Sequence, residues 1–324
     1  MLLNNLQAIN QALYQEMERD PAVIVLGEDV GVDGGVFRAT DGLYKKFGRE
    51  RVIDTPMCEA TIVGASFGMA VLGLKPVAEI QFNGFIFLAA NQLVAHVSRI
   101  RSRSRGRFAC PLTLRVPWSG GFRALEHHGE SPEAVFVHNP GLKVVMPATP
   151  YDTKGLLVAS IKDPDPVLFL EPIKLYRIFK EEVPEELYEV EIGKAKIVRQ
   201  GSDASLITYG TMLIPCLQVA DELNKEGISV EVVDLRTLSP LDEETLLQSV
   251  RKTGRCVIVH EAPRACGLGA EIAALISEKI LFHLKAPILR VTGYDTPMPL
   301  LKSEDLYIPN KEKVLSAVEE VLKY

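Results

Sequence analysis

The alternation of short β-branched runs with longer segments of helical periodicity constrains the fold of this chain more than any other feature. Five runs in the first 180 residues have the length and apolar character of buried strands: AVIVL at 22–26, PVAEI at 76–80, LTLRV at 112–116, KVVM at 143–146 and VLFLE at 167–171. Segments with helix-compatible spacing lie between them, at 60–74, 87–101 and 152–162. This alternation predicts an α/β fold with a mostly parallel sheet that helices cover on both faces.

The acidic stretch KEEVPEELYEVE at 180–191 contains a proline and lacks a sustained apolar period, which is typical of a linker or a surface excursion. We therefore expect two domains, at residues 1–185 and 195–324, and a chain of 324 residues is long enough for two cores. Gly227 is predicted just past the end of a helix, and Asp242 is predicted as the N-cap of another. The second domain repeats the alternation, with predicted strands at 205–209, 229–234, 255–260 and 288–291 and predicted helices at 213–225 and 269–281.

Charge and cysteine usage exclude several classes of function. The net charge of −6 gives no basis for nucleic-acid binding, and the one basic run, 99–107, is expected at a solvated or subunit-facing helix end. No apolar run reaches the roughly eighteen residues that a membrane span needs. Five scattered cysteines without a CxxC spacing predict reduced thiols, with neither a disulfide framework nor a zinc site. The N-terminal segment resembles neither a signal peptide nor a transit peptide, so we expect a cytoplasmic protein.

The common catalytic and nucleotide-binding motifs are missing. The chain has no GxGxxG after a strand, no GxxxxGK[ST] phosphate loop, no GxSxG elbow and no HExxH pair. The sequence therefore argues against nucleotide binding by the usual loops and against hydrolysis by zinc.

Three titratable sites remain as candidates for chemistry. Glu59 begins an otherwise small and apolar predicted helix, where it either stabilises the helix dipole or, if buried, serves proton transfer. His127 and His128 lie in a polar loop, and only one of two adjacent side chains on an extended backbone can enter a pocket. Glu28 and Asp29 follow the first predicted strand, at the edge where open parallel sheets bind ligands, although both also suit loop solvation or helix capping.

Several longer segments together resemble one known family. They are LGEDVGVDGGVFRATDGL at 26–43, RVIDTPMCEATIVGASFGMA at 51–70, LKPVAEIQFNGFIF at 74–87, SPEAVFVHNPGLKVVMPATPYDTKGLL at 131–157, VLFLEPIKLYR at 167–177 and VVDLRTLSPLD at 232–242. In this order they are similar to the β subunit of the decarboxylating component of pyruvate and branched-chain 2-oxo acid dehydrogenases. The resemblance implies a transketolase-like arrangement, with a pyrimidine-binding α/β domain followed by a transketolase C-terminal α/β domain.

The resemblance also implies a cofactor, thiamine diphosphate, that is shared with a separate α subunit. In the family the α subunit holds the diphosphate through Mg²⁺, with a GDG motif followed by an Asn. This chain contains no GDG. We therefore expect an α chain as partner, in a heterotetramer of two α and two β subunits.

The family's site residues carry over to named positions of this chain. Glu59 matches the glutamate that hydrogen-bonds N1′ of the aminopyrimidine and so favours the imino tautomer that deprotonates the thiazolium. Phe85 matches an aromatic residue that packs on the pyrimidine ring. His128 matches a histidine that assists acyl transfer to the lipoyl group, and His127 is the alternative in register. The resemblance places three further residues around the same pocket: Glu28, Met57 and Gln81.

Some members of the family bind a structural potassium ion on the β subunit, mainly through backbone carbonyls. Ordinary loop structure in the segment KDPDP is the alternative. The aligned positions are Leu112, Ser160, Ile161, Asp163 and Asp165.

The resemblance predicts oxidative decarboxylation of a 2-oxo acid and reductive acylation of a lipoyl domain of the dihydrolipoyl acyltransferase core. Pyruvate is the main expectation for the substrate, with the branched-chain enzyme and then acetoin dehydrogenase as alternatives. A scaffold subunit without catalytic function is disfavoured because Glu59, Phe85 and His128 are all present.

Overall fold

Strands and helices alternate along almost the whole chain in the computed structural model, which describes residues 1–324. The strands are β1 (Leu2–Leu3), β2 (Val23–Gly27), β3 (Val52–Asp54), β4 (Lys75–Glu79), β5 (Thr113–Trp118), β6 (Lys143–Val145), β7 (Val167–Pro172), β8 (Glu181–Glu182), β9 (Lys196–Arg199), β10 (Ala204–Thr208), β11 (Val230–Asp234), β12 (Thr237–Ser239), β13 (Cys256–Pro263) and β14 (Leu289–Gly293). The helices are α1 (Asn5–Arg19), α2 (Leu43–Phe47), α3 (Glu59–Val71), α4 (Ala90–Ala95), α5 (Ile100–Arg103), α6 (Glu133–Val137), α7 (Pro150–Lys162), α8 (Leu213–Lys225), α9 (Glu243–Thr253), α10 (Leu268–Ile280), α11 (Glu304–Tyr307) and α12 (Lys311–Leu322).

Seven strands form the first sheet, in the order β12-β6-β7-β5-β4-β2-β3. Neighbouring strands are parallel except β12, which pairs antiparallel with β6 at the outer edge. The five strands predicted in the N-terminal half lie in this sheet as β2, β4, β5, β6 and β7. Because β12 comes from the C-terminal half, the two halves of the chain share this sheet.

Five strands form the second sheet, in the order β14-β13-β10-β11-β9. Only β9 is antiparallel to its neighbour, β11. Strands β10 and β11 are buried along their whole length, as the inner strands of a parallel sheet are, although each also buries polar side chains: Ser205 and Thr208 in β10, Glu231 and Asp234 in β11. The mostly parallel sheets that the alternation predicts are therefore confirmed.

Three apolar cores hold these layers together. One lies between the first sheet and helices α1 and α7, and another lies between the second sheet and helices α8 and α12. The largest, of 35 buried residues, joins the remaining faces of both sheets and includes Ile62 of α3 and Leu246 of α9. Because full burial of such a side chain contributes about 1.5–3 kcal/mol, this shared core fixes the two halves against each other.

Local capping explains where the longer helices begin and end. Asp242 is the N-cap of α9, as predicted, and its carboxylate accepts a hydrogen bond of 3.2 Å from the Thr245 amide. Gly254, at φ +76°, ends the same helix in the left-handed conformation that glycine adopts readily. Gly227, at φ +81°, has the same conformation just past the end of α8, which confirms the predicted helix end.

The segment 87–101 differs from its sequence pattern, because the single helix that its spacing favours is broken into α4, α5 and short 3-10 turns. Side chains satisfy the carbonyl groups at the break. Arg99 Nε and Ser98 Oγ donate to the Val94 carbonyl at 2.8 and 3.1 Å, and the Arg103 guanidinium donates to the Ala95 carbonyl. These contacts replace the backbone bonds that a continuous helix would make.

The acidic stretch at 180–191 is anchored to the first half of the chain. Strand β8 pairs with β1, and Val183 and Val190 are buried. The buried Lys154 ammonium donates to the carbonyls of residues 184, 185 and 186 at 2.7, 3.2 and 2.9 Å. The sequence predicts either a linker or a surface excursion for this stretch, and the structure shows the surface excursion.

None of the helices combines the length and the apolar character needed to cross a bilayer.

Candidate active site

The carboxyl ends of three neighbouring strands bring most of the predicted site residues to one edge of the first sheet. Glu28 follows β2, Gln81 lies two residues beyond β4, and Glu59 begins α3 shortly after β3. Since β3, β2 and β4 are adjacent and parallel, these ends meet at the same edge. Ligands of open α/β sheets bind at such an edge.

Glu59 is almost fully buried, with 6% of its surface exposed. The N-cap position of α3 is occupied by Cys58, and no side chain caps the helix by a hydrogen bond. Glu59 therefore lies in the first turn, where the positive end of the helix dipole favours a carboxylate, without being the cap itself. Its carboxyl group remains available to a ligand.

Glu28 is the second acid of this edge. Burial raises the pKa of its carboxyl, and the negative charges of Asp29 and Glu59 raise it further. Gln81 is tied to the same loop, because its Nε2 donates to Asp29 Oδ2 at 3.2 Å. At this edge the charges of Asp29 and Glu59 thus lie close enough to Glu28 to raise its pKa, and the Gln81 amide lies beside Asp29.

Asp54 orders the loop that follows Glu28, a role that the sequence did not reveal. Its carboxylate accepts hydrogen bonds from the amides of Gly31 and Val32, at 2.6 and 3.2 Å. A β-carbon at Gly31 would lie 2.5 Å from Asp54 Oδ2, so a larger residue there would displace the Asp54 carboxylate. The only available signal was the position of Asp54 at the end of a strand.

An aromatic cluster, consisting of Phe82, Phe85, Phe122 and His128, lies beside this edge. The His128 ring is 4.5 Å from the Phe82 ring and 5.3 Å from the Phe85 ring, the latter edge-to-face. Phe82 also stacks on Phe122 at 6.5 Å. His128 Nδ1 lies 2.8 Å from the Glu126 carbonyl oxygen, a contact that fixes the orientation of the ring. Such aromatic contacts contribute about 0.5–1.5 kcal/mol each beyond burial.

His127 is placed differently from His128. Its backbone has a φ of +69°, its side chain is exposed, and its Nδ1 lies 3.7 Å from Glu130 Oε2. The structure therefore brings His128, and not His127, against Phe85. Met57, which was expected to line the pocket, is 78% exposed in the turn before α3 and is not enclosed by this chain.

A buried ion network supports the same edge from below. The Arg115 guanidinium on β5 contacts Glu79 on β4 at 2.6 Å and Glu171 on β7 at 2.6 Å. The Tyr176 hydroxyl donates to Glu171 at 2.5 Å. All these side chains are buried, so each charge depends on the others for compensation.

The residues that the resemblance assigns to potassium lie around the end of α7 and the start of β5. Both of the aspartate side chains there are engaged: Asp163 contacts Lys143 Nζ at 2.5 Å, and Asp165 pairs with Arg101. The chain has no group of three or more His, Cys, Asp or Glu side chains that could hold a metal ion. A cation here would depend on backbone carbonyls. The assigned residues are Leu112, Ser160, Ile161, Asp163 and Asp165.

Comparisons with known proteins assign this geometry to a family. Residues 3–178 match the family "Transketolase, pyrimidine binding domain", and residues 193–314 match "Transketolase, C-terminal domain". The pyruvate dehydrogenase E1 component subunit β of Acholeplasma laidlawii is 52% identical over 322 residues, covering 99% of this chain and 98% of that protein. The protein of the same name from Bacillus subtilis strain 168 is 49% identical over 319 residues, covering 98% of each chain. The chain belongs to the family of pyruvate dehydrogenase E1 β subunits.

The family membership predicted from the sequence segments is thereby confirmed. A solved structure described as a split gene transketolase, inactive β4 tetramer, superposes with a TM-score of 0.81 over 99% of this chain and 98% of that chain. At 22% sequence identity it supports the fold alone, and it confirms the transketolase-like two-domain α/β class. The E1 β relatives carry the name of the pyruvate enzyme, which agrees with the main functional prediction and supports neither the branched-chain nor the acetoin alternative.

Proposed function

We propose that this chain is the β subunit of a thiamine-diphosphate-dependent pyruvate dehydrogenase and that it is active only with an α subunit. The observation that carries the proposal is the placement of the Glu28 and Glu59 carboxyl groups beside the Phe85–His128 contact at one sheet edge. Carboxyl groups suit the ring nitrogens of an aminopyrimidine, and an aromatic ring suits its face. When bound, thiamine diphosphate supplies the electron sink that loss of CO₂ from a 2-oxo acid requires.

Each residue of the edge then has a distinct role. Glu59 would hydrogen-bond N1′ of the pyrimidine ring and hold a proton there. Phe85 would pack on the face of that ring, and Glu28, Gln81 and Met57 would line the rest of the pocket. We assign His128 to orientation of the acyl group and its transfer to a lipoyl domain, because an imidazole ring can both donate and accept a hydrogen bond.

The other half of the site would come from the α subunit, which we propose to hold Mg²⁺ and the diphosphate. The absence of a GDG motif and of a clustered set of metal-binding side chains supports this division. Exposed apolar side chains in the segments that follow β3 and β4, those of Met57, Phe87 and Leu88, supply a surface for a partner chain. We further propose that two α and two β subunits assemble and that the particle is cytoplasmic. The acyltransferase core would dock on the C-terminal domain, and a potassium ion would bind the backbone carbonyls near Asp163.

The proposal is tested by co-expressing the chain with an α subunit of the same family and measuring turnover of pyruvate, 3-methyl-2-oxobutanoate and acetoin. We expect pyruvate to be preferred in kcat/KM, and no turnover by the chain alone. Glu59→Gln should lower kcat by at least about a hundredfold, the usual range for loss of a proton-transfer group. The matched control is Glu226→Gln, an exposed glutamate after α8, which should leave kcat unchanged.

Three results would contradict the proposal. Robust turnover without an α chain would exclude the shared site. Near-normal decarboxylation by the Glu59→Gln variant would exclude the role of Glu59. Equally poor turnover of all three substrates would exclude the assigned reaction.

A further inference from the structure

The loop between β5 and α6, residues 119–132, carries His128 and is attached to the C-terminal half of the chain by two carboxylates. Glu304, at the start of α11, accepts hydrogen bonds from the Gly121 amide and, at 2.7 Å, from the Arg123 amide. Glu261, on β13, accepts hydrogen bonds from the Gly120 amide at 2.5 Å and from the Ser131 hydroxyl at 3.3 Å. The loop is thus bound at both of its ends by groups that lie more than a hundred residues away in sequence.

Both carboxylates are removed from solvent, with 2% of Glu304 and 4% of Glu261 exposed. Neither faces an arginine or a lysine in a salt bridge, so the loop amides are their principal partners, together with the Thr211 hydroxyl that donates to Glu261 at 2.7 Å. Hydrogen bonds from amides to a charged acceptor are stronger than those to a neutral one. A buried carboxylate left without them is costly, so the loop and the carboxylates hold each other in place.

The packing around Glu304 reaches the residue next to His128. A β-carbon at Gly120 would overlap Glu304 Oε1 and would lie 3.1 Å from the Gly129 carbonyl oxygen. A β-carbon at Gly129 would lie 3.4 Å from the Gly120 Cα and 3.6 Å from Glu304 Oε1. Glu304 therefore lies where the two ends of the loop meet, and Gly129 directly follows His128.

We propose that Glu304, assisted by Glu261, is a positioning residue that sets the His128 imidazole against Phe85 from the C-terminal half of the chain. The inference rests on the proposed function, because the position of the imidazole matters only if His128 serves acyl transfer. The Glu304 carboxylate is hydrogen-bonded to backbone amides of the loop and not to the His128 side chain, so it acts through the backbone of the loop.

The test compares Glu304→Gln with Asp305→Asn, both in the chain assembled with its α subunit. A glutamine amide presents an N–H₂ group to one of the two loop amides, so one bond is lost without a change of volume. Asp305 is the matched control because it is adjacent to Glu304 and contacts the same loop, through the Arg123 guanidinium at 2.9 Å. Unlike Glu304, it is exposed: 59% of the Asp305 side chain and 54% of the Arg123 side chain face solvent. An exposed pair of this kind contributes little.

We measure hydrogen exchange of the 119–131 amides, acylation of a lipoyl domain, and pyruvate decarboxylation with an artificial electron acceptor that bypasses the lipoyl domain. In Glu304→Gln we expect exchange to accelerate by roughly tenfold to a hundredfold, as loss of one hydrogen bond to a charged group predicts, and acylation to fall by a similar factor. Decarboxylation should stay within about twofold, since Glu59 is held by a different element. Asp305→Asn should match the wild type in all three.

Unchanged hydrogen exchange in Glu304→Gln would overturn the proposed attachment. Faster exchange in this variant with unchanged acylation would overturn the positioning role. An equal fall in acylation and decarboxylation, together with a lower Tm, would overturn it too, because it would indicate a general loss of structure. If the wild-type assembly turns over no pyruvate, the proposed function fails, whereas hydrogen exchange still decides whether Glu304 holds the loop. Glu304→Asp keeps the charge and withdraws it by one methylene, and its intermediate acceleration of exchange provides the same test if the glutamine variant does not fold.

Discussion

Replacing Glu133 with Gln should make the stability of this chain respond less to pH. Glu133 is fully buried at the start of α6, and its carboxyl accepts hydrogen bonds from Trp118 Nε1 at 3.1 Å and from the Tyr209 hydroxyl at 2.7 Å. Burial raises its pKa to about 7, although the two donors act in the opposite direction. Glutamine has nearly the same shape and does not ionise.

The sign and size of the effect follow from linkage between ionisation and folding. In the unfolded chain Glu133 has its ordinary pKa of 4.5, and in the folded chain the pKa is about 7. Below pH 4.5 the group is protonated in both states and contributes no pH dependence. Between pH 4.5 and about pH 7, only the unfolded chain releases the proton, so the free energy of unfolding falls as the pH rises. This fall is complete once the pH exceeds the folded pKa. At about 1.36 kcal/mol per pKa unit, this amounts to about 3 kcal/mol.

Urea unfolding followed by fluorescence measures this difference, because Trp118 is the only tryptophan and donates to Glu133 itself. From about pH 4 to about pH 8 the free energy of unfolding of Glu133→Gln should rise by about 3 kcal/mol relative to the wild type. Other titrating groups, including the buried Asp234, cancel in the comparison. The control Tyr209→Phe removes a donor but keeps the carboxyl, so it should retain the pH dependence. A difference that does not change with pH would refute the argument.

Two further predictions concern the stability of the scaffold. Arg115→Met should lower the free energy of unfolding by about 3–5 kcal/mol, since it leaves the buried Glu79 and Glu171 carboxylates without a positive charge to compensate them. The exposed Arg101→Met should cost less than about 1 kcal/mol, and equal effects of the two substitutions would contradict this reasoning. Asp242→Ala should lower the free energy of unfolding by about 1 kcal/mol in the same urea assay, because α9 loses its N-cap, and no change would show that the cap contributes nothing.

Much of the first sheet could be predicted from the sequence because its inner strands are buried on both faces. Strand β7 is buried at every position, and its continuous apolar run VLFL makes the strand visible without an alignment. The start of α3 was predicted at residue 60, and the helix begins at Glu59, where small apolar residues follow a Pro-containing turn. The positions of β7 and α3 could thus be predicted because they depend on residues that are close together in the sequence.

The buried charges could not be predicted, because their partners are set by strand order. Glu79, Arg115 and Glu171 each appear in an otherwise apolar strand, and sequence alone does not show that these three strands are neighbours. The adjacency of β4, β5 and β7 in the sheet is what pairs them. For the same reason, no local pattern indicates that Glu261 and Glu304 bind the loop that carries His128.

The contrast between Glu59 and His128 suggests how this half-site is built. Glu59 belongs to the first turn of a helix that packs into the core shared by both sheets, so its backbone is fixed by the scaffold. His128 lies on a loop whose backbone is held by single hydrogen bonds to carboxylates of the C-terminal half. A group that holds a proton on a bound cofactor needs a constant position. A group that passes an acyl chain to an arriving domain needs a defined position on a loop that can still move. The helix start that carries Glu59 and the hydrogen-bonded loop that carries His128 therefore suit these two different tasks of the proposed reaction.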